Sequence, residues 1–484
     1  MKIITNDRMR ERTRDEVPDT NLHGQTDDTP HGQTDDTPHG QTDDTPHGQT
    51  DDTPQRKSSI DPSQSARVVL LVGILAGLGN VVLVPFANPS QFMLASDVYL
   101  YAADAWLAGE SIYETAPPDR PGYHYLYPPI TILGFLPHAL LGSELASFAI
   151  QTLLNLGFGI ALAAVIWRAL ARRTVAITTT DRVLLVGFVL LSAHSAITLL
   201  NGQVTIPLAF ALAVGFDALD RQRESTAEPT GKSSSTHDGT RSSRVGLHRE
   251  TLAGVAFALA ALLKVFPALV GLWLLRLRAW RGVVAALVTG LGGLALGAVL
   301  LGPDLTVTYL EDVLLARYEE ESFAGRPDPM DSTDGVQRQL AALGVGSPIG
   351  TVLAVAILAP AVLALYRRID TDTRRQAALL GTLVATLLFF PLQPLYFPLL
   401  AFPLVLLLYL LPPGHPRTIL VIGTLVSFLR PSYDMVAEFV VGLPVPEGVE
   451  TVLLTATEAL FTFVLLPTVG LWLLLVACLF VHYG

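Results

Sequence analysis

The sequence predicts an all-α, polytopic membrane protein, and three observations carry that expectation. Half of the 484 residues are hydrophobic, only 15% are charged, and the mean hydropathy is +0.44, a balance that argues against a soluble 52.0 kDa chain. The polar residues are concentrated at one end: residues 1–66 hold 14 acidic against 7 basic side chains, so 7 of the 11 net negative charges lie there. The remainder contains stretches such as Gly282–Gly302, 21 residues without a charge. As a helix that stretch crosses about 30 Å of hydrocarbon.

From His23 to Pro54 the octapeptide HGQTDDTP repeats four times. With no apolar face to bury, it predicts a disordered segment, and residues 1–66 as a whole read as a disordered tail. The repeated His23, His31, His39 and His47 beside paired Asp residues are more simply solvated than metal-bound. Residues 67–484 then form the membrane domain. Apolar windows fall at 68–87, 146–167, 183–200, 204–219, 251–263, 265–277, 282–302, 348–366, 376–390, 396–411, 418–429 and a pair within 451–482. They predict roughly 11 to 13 crossings, with 128–141 as a re-entrant or interfacial element.

Basic residues cluster at Arg168/Arg172/Arg173/Arg182, between Arg221 and Arg249, at Arg276/Arg278/Arg281 and at Arg367/Arg368/Arg374/Arg375. By the positive-inside rule these ends are cytoplasmic, with 220–249 a disordered cytoplasmic loop and the N-terminal tail inside a cell membrane. The segments 88–127, rich in Asp, Tyr and Pro, and 303–347, with nine acids against three arginines, read as external loops. A single cysteine, Cys478, excludes an intramolecular disulfide and the usual cysteine metal sites. The acidic pI of about 5.4 gives no support for nucleic-acid binding.

The densest chemical signal is the first external loop. Ser96 and Asp97 precede a run in which Val98, Tyr101, Ala105 and Leu107/Ala108 roughly share a face, which predicts a short interfacial helix stopping at Gly109. Asp97 at its start reads either as an N-cap or as an ionised carboxylate able to take a proton from an alcohol. Tyr123, His124, Tyr125 and Tyr127 before Pro128-Pro129 suit either interfacial anchoring or sugar stacking. Asn201-Gly202-Gln203 separates two short apolar spans. Lys264 interrupts another just before Pro267, where it either snorkels to the interface or meets a lipid phosphate.

These residues resemble family 87 of the GT-C glycosyltransferases, polyprenyl-phosphate-mannose-dependent mannosyltransferases. The likeness runs from about residue 68 to 411, through Asp97, Tyr101, Ala102-Ala103, Gly109 and Ile112-Tyr113, then Tyr127–Pro129, Asn201–Gln203 and Ala253–Pro267. It departs at Thr205, where the family often has Asn, and at Pro391–Tyr396, where the family often has a Ser-Trp…His-Tyr element. The resemblance implies a GT-C fold, a lipid-linked sugar donor, a glycan or glycolipid acceptor, Asp97 as catalytic aspartate and Lys264 facing the donor phosphate. Tyr101, His124, Tyr125, Tyr127, Asn201 and Gln203 are then candidate substrate-binding residues, and Asp104 is an alternative base. No metal ligands are assigned, and no cofactor beyond the donor is implied. The alternative class is a secondary transporter or lipid-linked sugar flippase with Lys264 on its path. No inverted repeat supports it, and the external loops hold more polar residues than a minimal transporter needs.

Overall fold

The computed structural model describes residues 62–87, 89–227, 238–316, 325–390 and 393–483. The chain divides into Met1–Lys57 and Ser58–Gly484, and the latter holds every described element. The repeat region at 23–54, expected to be disordered, lies outside the described residues, as do positions 391–392 of the family departure. Of the disordered cytoplasmic loop expected over 220–249, residues 220–227 belong to a helix that runs to Ala227 and 238–249 to one that begins at Asp238, and 228–237 lie outside the described residues.

The described residues hold nineteen α-helices and no strand. They are α1 (Pro62–Ala87), α2 (Leu94–Ala108), α3 (Ile132–Leu140), α4 (Glu144–Arg172), α5 (Thr179–Leu191), α6 (Ala193–Asn201), α7 (Thr205–Ala227) and α8 (Asp238–Leu263). Next come α9 (Gly271–Leu277), α10 (Trp280–Leu301), α11 (Pro303–Thr308), α12 (Val336–Ala342) and α13 (Ile349–Arg367). The last six are α14 (Asp372–Phe389), α15 (Ala401–Leu410), α16 (His415–Ser427), α17 (Tyr433–Val441), α18 (Glu447–Phe463) and α19 (Leu466–Tyr483).

Five helices are individually long and apolar enough to cross a membrane: Ser63–Phe86 within α1, then α4, α10, α13 and α19. A sixth candidate is the pair α5 and α6, bent by 50° at Ser192, whose extended backbone interrupts the helix. The other windows among the 11 to 13 expected fall on helices that are shorter, broken or, like α7 and α14, long but interrupted by charged residues. The apolar run 251–277 breaks after Leu263 into a 3₁₀ turn, Phe266–Val270, and the seven-residue α9. The run 396–411 splits between the 3₁₀ segment Pro394–Leu400 and α15. The segment 128–141 forms a 3₁₀ turn, Pro129–Thr131, and the nine-residue α3, which together make a short apolar helix. Small residues allow close contact between these helices: a Cβ on Gly254 of α8 would lie 2.0 Å from the Gly282 carbonyl of α10.

The polar ends are sharply different. At one end the basic clusters meet buried acids. Arg173 Nη2 lies 2.6 Å and Arg375 Nη2 3.4 Å from Asp220, Gln376 Nε2 donates to Asp220 at 2.9 Å, and Arg172 and Arg221 share Asp217. Arg67 and the Tyr409 hydroxyl donate to Asp181. At the other end of α4, Ser147 Oγ donates to Ser96 O of α2 at 2.9 Å. Twenty-five residues of helix separate Ser147 from Arg172, roughly 38 Å. A second, aromatic cluster packs at this opposite end, around Tyr99, Tyr113, Tyr125, Tyr127, Phe135 and Tyr309.

Candidate active site

The site is built on α2. Its first turn begins earlier than the sequence suggests: Leu94 is the first helical residue, and Met93 precedes it at φ 62°. Asp97 therefore lies inside the helix, and the N-cap reading of its side chain does not hold. Ser96 and Gly202 fix the position of α2. Gly202 ends α6 at φ +75°, and a Cβ there would lie 2.9 Å from Ser96 Cβ. Met93 N donates to Leu200 O at 2.8 Å, and Asn201 Nδ2 donates to Gln91 O at 3.0 Å. The Asn201-Gly202 corner thus anchors the chain entering α2.

Asp97 is only 4% exposed. Its Oδ2 accepts from Arg120 Nη1, whose Nη2 donates to Phe92 O at 2.8 Å, while Oδ1 is buried without a hydrogen-bond partner among the described residues. Burial pushes the carboxyl up to about 6. Arg120 opposes that rise, and Glu144 in the first turn of α4 and Asp119 add to it. A carboxylate poised near neutrality is suited to general-base work.

Beside α2 lies a floor of rings. The hydroxyls of Tyr99 and Tyr127 are 2.8 Å apart and each lies 3.4 Å from Gln203 Oε1, so one donates to the amide oxygen and the other to its neighbouring hydroxyl. Tyr113 donates to Tyr127 O at 2.8 Å, and Tyr125 pairs with Thr131 Oγ1 at 2.6 Å. Burial raises the phenols of Tyr99, Tyr113, Tyr125 and Tyr127 far above their ordinary value, so they remain protonated donors. Lys264, one residue past the end of α8, sets its Nζ 4.5 Å from the centre of the Tyr127 ring and 5.7 Å from that of Tyr396.

The structure therefore brings Tyr99, Tyr127, Gln203 and Lys264 together, while Asp97, two residues before Tyr99 on α2, points to a different face of that helix and meets Arg120. The cation bound to Asp97 is Arg120, not Lys264. Tyr125 and Asn201 are buried in packing and backbone-holding roles. Tyr101 donates to Glu144 Oε1 at 3.0 Å on the outer side of α2. His124 is half-buried, and its Nδ1 has no partner among the described residues. Asp104 is exposed, apart from the burial that distinguishes Asp97. Sequence reasoning missed Arg120, Glu144, Tyr99 and Tyr396. Arg120 did leave a signal: it is the one basic residue between 88 and 127, against five acids. Among the described residues no group of three His, Cys, Asp or Glu side chains could hold a metal ion.

Helices that cross a membrane, with a buried acid and a ring-bounded lysine at one end, define a polytopic membrane protein with an enzyme-like site. The pattern of glycosyltransferase family 87 matches residues 125–391, more than half of the chain, and the protein belongs to that family. The match starts after Asp97 and Arg120 and contains Tyr127, Asn201, Gln203 and Lys264. Among solved structures the chain is similar to ArnT from Cupriavidus metallidurans bound to undecaprenyl phosphate. The identity is 14%, over 87% of this chain and 76% of that one, with a TM-score of 0.36. No curated protein sequence matches it.

Proposed function

We propose that the protein transfers a hexose, mannose, from a polyprenyl phosphate to a hydroxyl of a lipid- or protein-linked glycan at the external face of the cell membrane. The observation that carries this reading is the buried Asp97, near neutrality, on the same short helix as the ring floor that holds Lys264. The tail of a polyprenyl donor partitions into the bilayer while the acceptor comes from water, which requires a site at the membrane boundary. The separation of the basic clusters from α2 along the length of α4 supports a cytoplasmic basic end, with the N-terminal tail inside and the site outside.

In this reaction the acceptor oxygen attacks the anomeric carbon as the bond from that carbon to the phosphate oxygen breaks. The hydroxyl proton passes to Asp97, and polyprenyl phosphate leaves with the bonding electrons. A single displacement inverts the anomeric centre. Lys264 stabilises the charge growing on the departing phosphate, in a setting where fixed cations act strongly. Gln203 and the protonated Tyr99 and Tyr127 hold the lysine's platform.

The test is Asp97→Asn, assayed with polyprenyl-phosphate mannose in membranes. Transfer falls by at least a hundredfold while insertion and melting temperature stay near wild type. Asp104→Asn, on the exposed face of α2, keeps its activity. Undiminished transfer in Asp97→Asn removes Asp97 from the mechanism, and loss in Asp104→Asn alone makes that residue the base. A flippase would show no glycosidic product in either background.

A further inference from the structure

The two oxygens of Asp97 are not equivalent. Oδ2 is held by Arg120 Nη1, and the second arm of the same guanidinium reaches the Phe92 carbonyl just ahead of α2 at 2.8 Å. Oδ1 is buried and accepts nothing from the described residues. The other charged groups that face Asp97 are acidic: Asp119, beside Arg120 in the loop, and Glu144 of α4, which is fixed by the Tyr101 hydroxyl at 3.0 Å. A planar fork that spans a carboxylate oxygen and a backbone carbonyl sets orientation as well as charge, which a lysine's single ammonium cannot do.

We propose that Arg120 is a positioning residue for the transfer reaction: it clamps Oδ2 to the start of α2 and presents Oδ1 to the acceptor hydroxyl. The presentation of Oδ1 rests on the reading of Asp97 as the base; the clamp on Oδ2 does not. The same guanidinium counters two neighbouring acids and the burial of the carboxyl. Removing it leaves Asp97 ionised only at higher pH, and the acid side of the rate profile moves with it.

Two measurements on the intact protein in detergent or nanodiscs separate these parts. The first is an infrared titration of the carboxyl band that distinguishes wild type from Asp97→Asn, made without substrate. The midpoint expected in wild type is about 6. It rises by about one pH unit or more in Arg120→Gln and stays near the wild-type value in Arg120→Lys, which keeps the charge. The second is the pH profile of kcat/KM with polyprenyl-phosphate mannose. Its acid limb moves upward in Arg120→Gln and stays in place in Arg120→Lys, while kcat in Arg120→Lys drops about tenfold or more because the fork to Phe92 is lost.

A purely structural role for Arg120 would lower activity equally at every pH and leave both midpoints unmoved, which overturns the proposal. If Arg120→Gln fails to fold, Arg120→Lys decides the matter: a kcat reduced at unchanged KM and unchanged melting temperature supports the clamp, and a wild-type kcat, or a loss of activity matched by a loss of melting temperature, overturns it. Full transfer by Asp97→Asn, with the infrared midpoint still moved by Arg120→Gln, instead sinks the base assignment and leaves the electrostatic pairing standing.

Discussion

Lys264 shows how one residue can be conspicuous in sequence and still be misjudged in its company. A lysine inside an apolar run stands out, and the break before Pro267 is where the helix ends. Its partners were not readable, because they come from sites 137 residues before and 132 residues after it in the chain. Tyr127, a candidate substrate-binding residue in the sequence, lies against the Lys264 ammonium. Cation–π contacts of this kind contribute about 0.5–2 kcal/mol. Tyr127→Phe keeps the ring and loses the hydroxyl shared with Tyr99 and Gln203, so it should lower stability by about 1 kcal/mol with little change in turnover. Lys264→Gln should lower kcat by about a hundredfold or more, because it removes a charge that acts on the leaving phosphate. Steady-state kinetics with polyprenyl-phosphate mannose checks both. Equal effects of the two variants would mean that Lys264 acts only as packing for the rings.

At the scale of elements, helix ends marked by glycine were legible and the start of α2 was not. Gly109 stops α2 at φ +77° and Gly202 stops α6 at φ +75°, as the sequence suggests for left-handed C-terminal residues. The start of α2 carries no such mark, since Met93 is left-handed without a capping side chain, and Asp97 was accordingly placed one turn too early. The two glycines allow a controlled comparison. Nothing lies within 4 Å of a Cβ built on Gly109, so Gly109→Ala adds only backbone strain. That costs about 1–2 kcal/mol, and turnover should persist. At Gly202 the same strain is joined by a 2.9 Å clash with Ser96, the neighbour of Asp97. Gly202→Ala should therefore lower both melting temperature and transfer rate, measured side by side with Gly109→Ala. Matching activities in the two variants would show that contact between α6 and α2 does not position the base.

Over the whole molecule, membrane character was readable because apolar transfer energies sum along the chain, whereas crossing number was not. A window of thirteen apolar residues looks the same in a crossing helix and in one that breaks at Lys264 or bends at Ser192. The opposition between two polar ends is clearer. At one end Asp220 is buried between Arg173 and Arg375, and at the other Asp97 is buried against Arg120, with most of the length of α4 between them. Removing one member of a buried ion cluster leaves uncompensated charge and costs about 3–5 kcal/mol. Asp220→Ala should thus lower the melting temperature and the folded yield sharply, while turnover per folded molecule stays at the wild-type level. Asp97→Asn should do the reverse, abolishing transfer while holding stability, because the amide oxygen still accepts from Arg120, which is part exposed and lies beside Asp119. Thermal melts paired with active-site-normalised rates test this division. A fall in normalised turnover for Asp220→Ala would show that the ionic end sets the geometry of the site across roughly 38 Å of helix, and the separation of anchoring from chemistry would be lost.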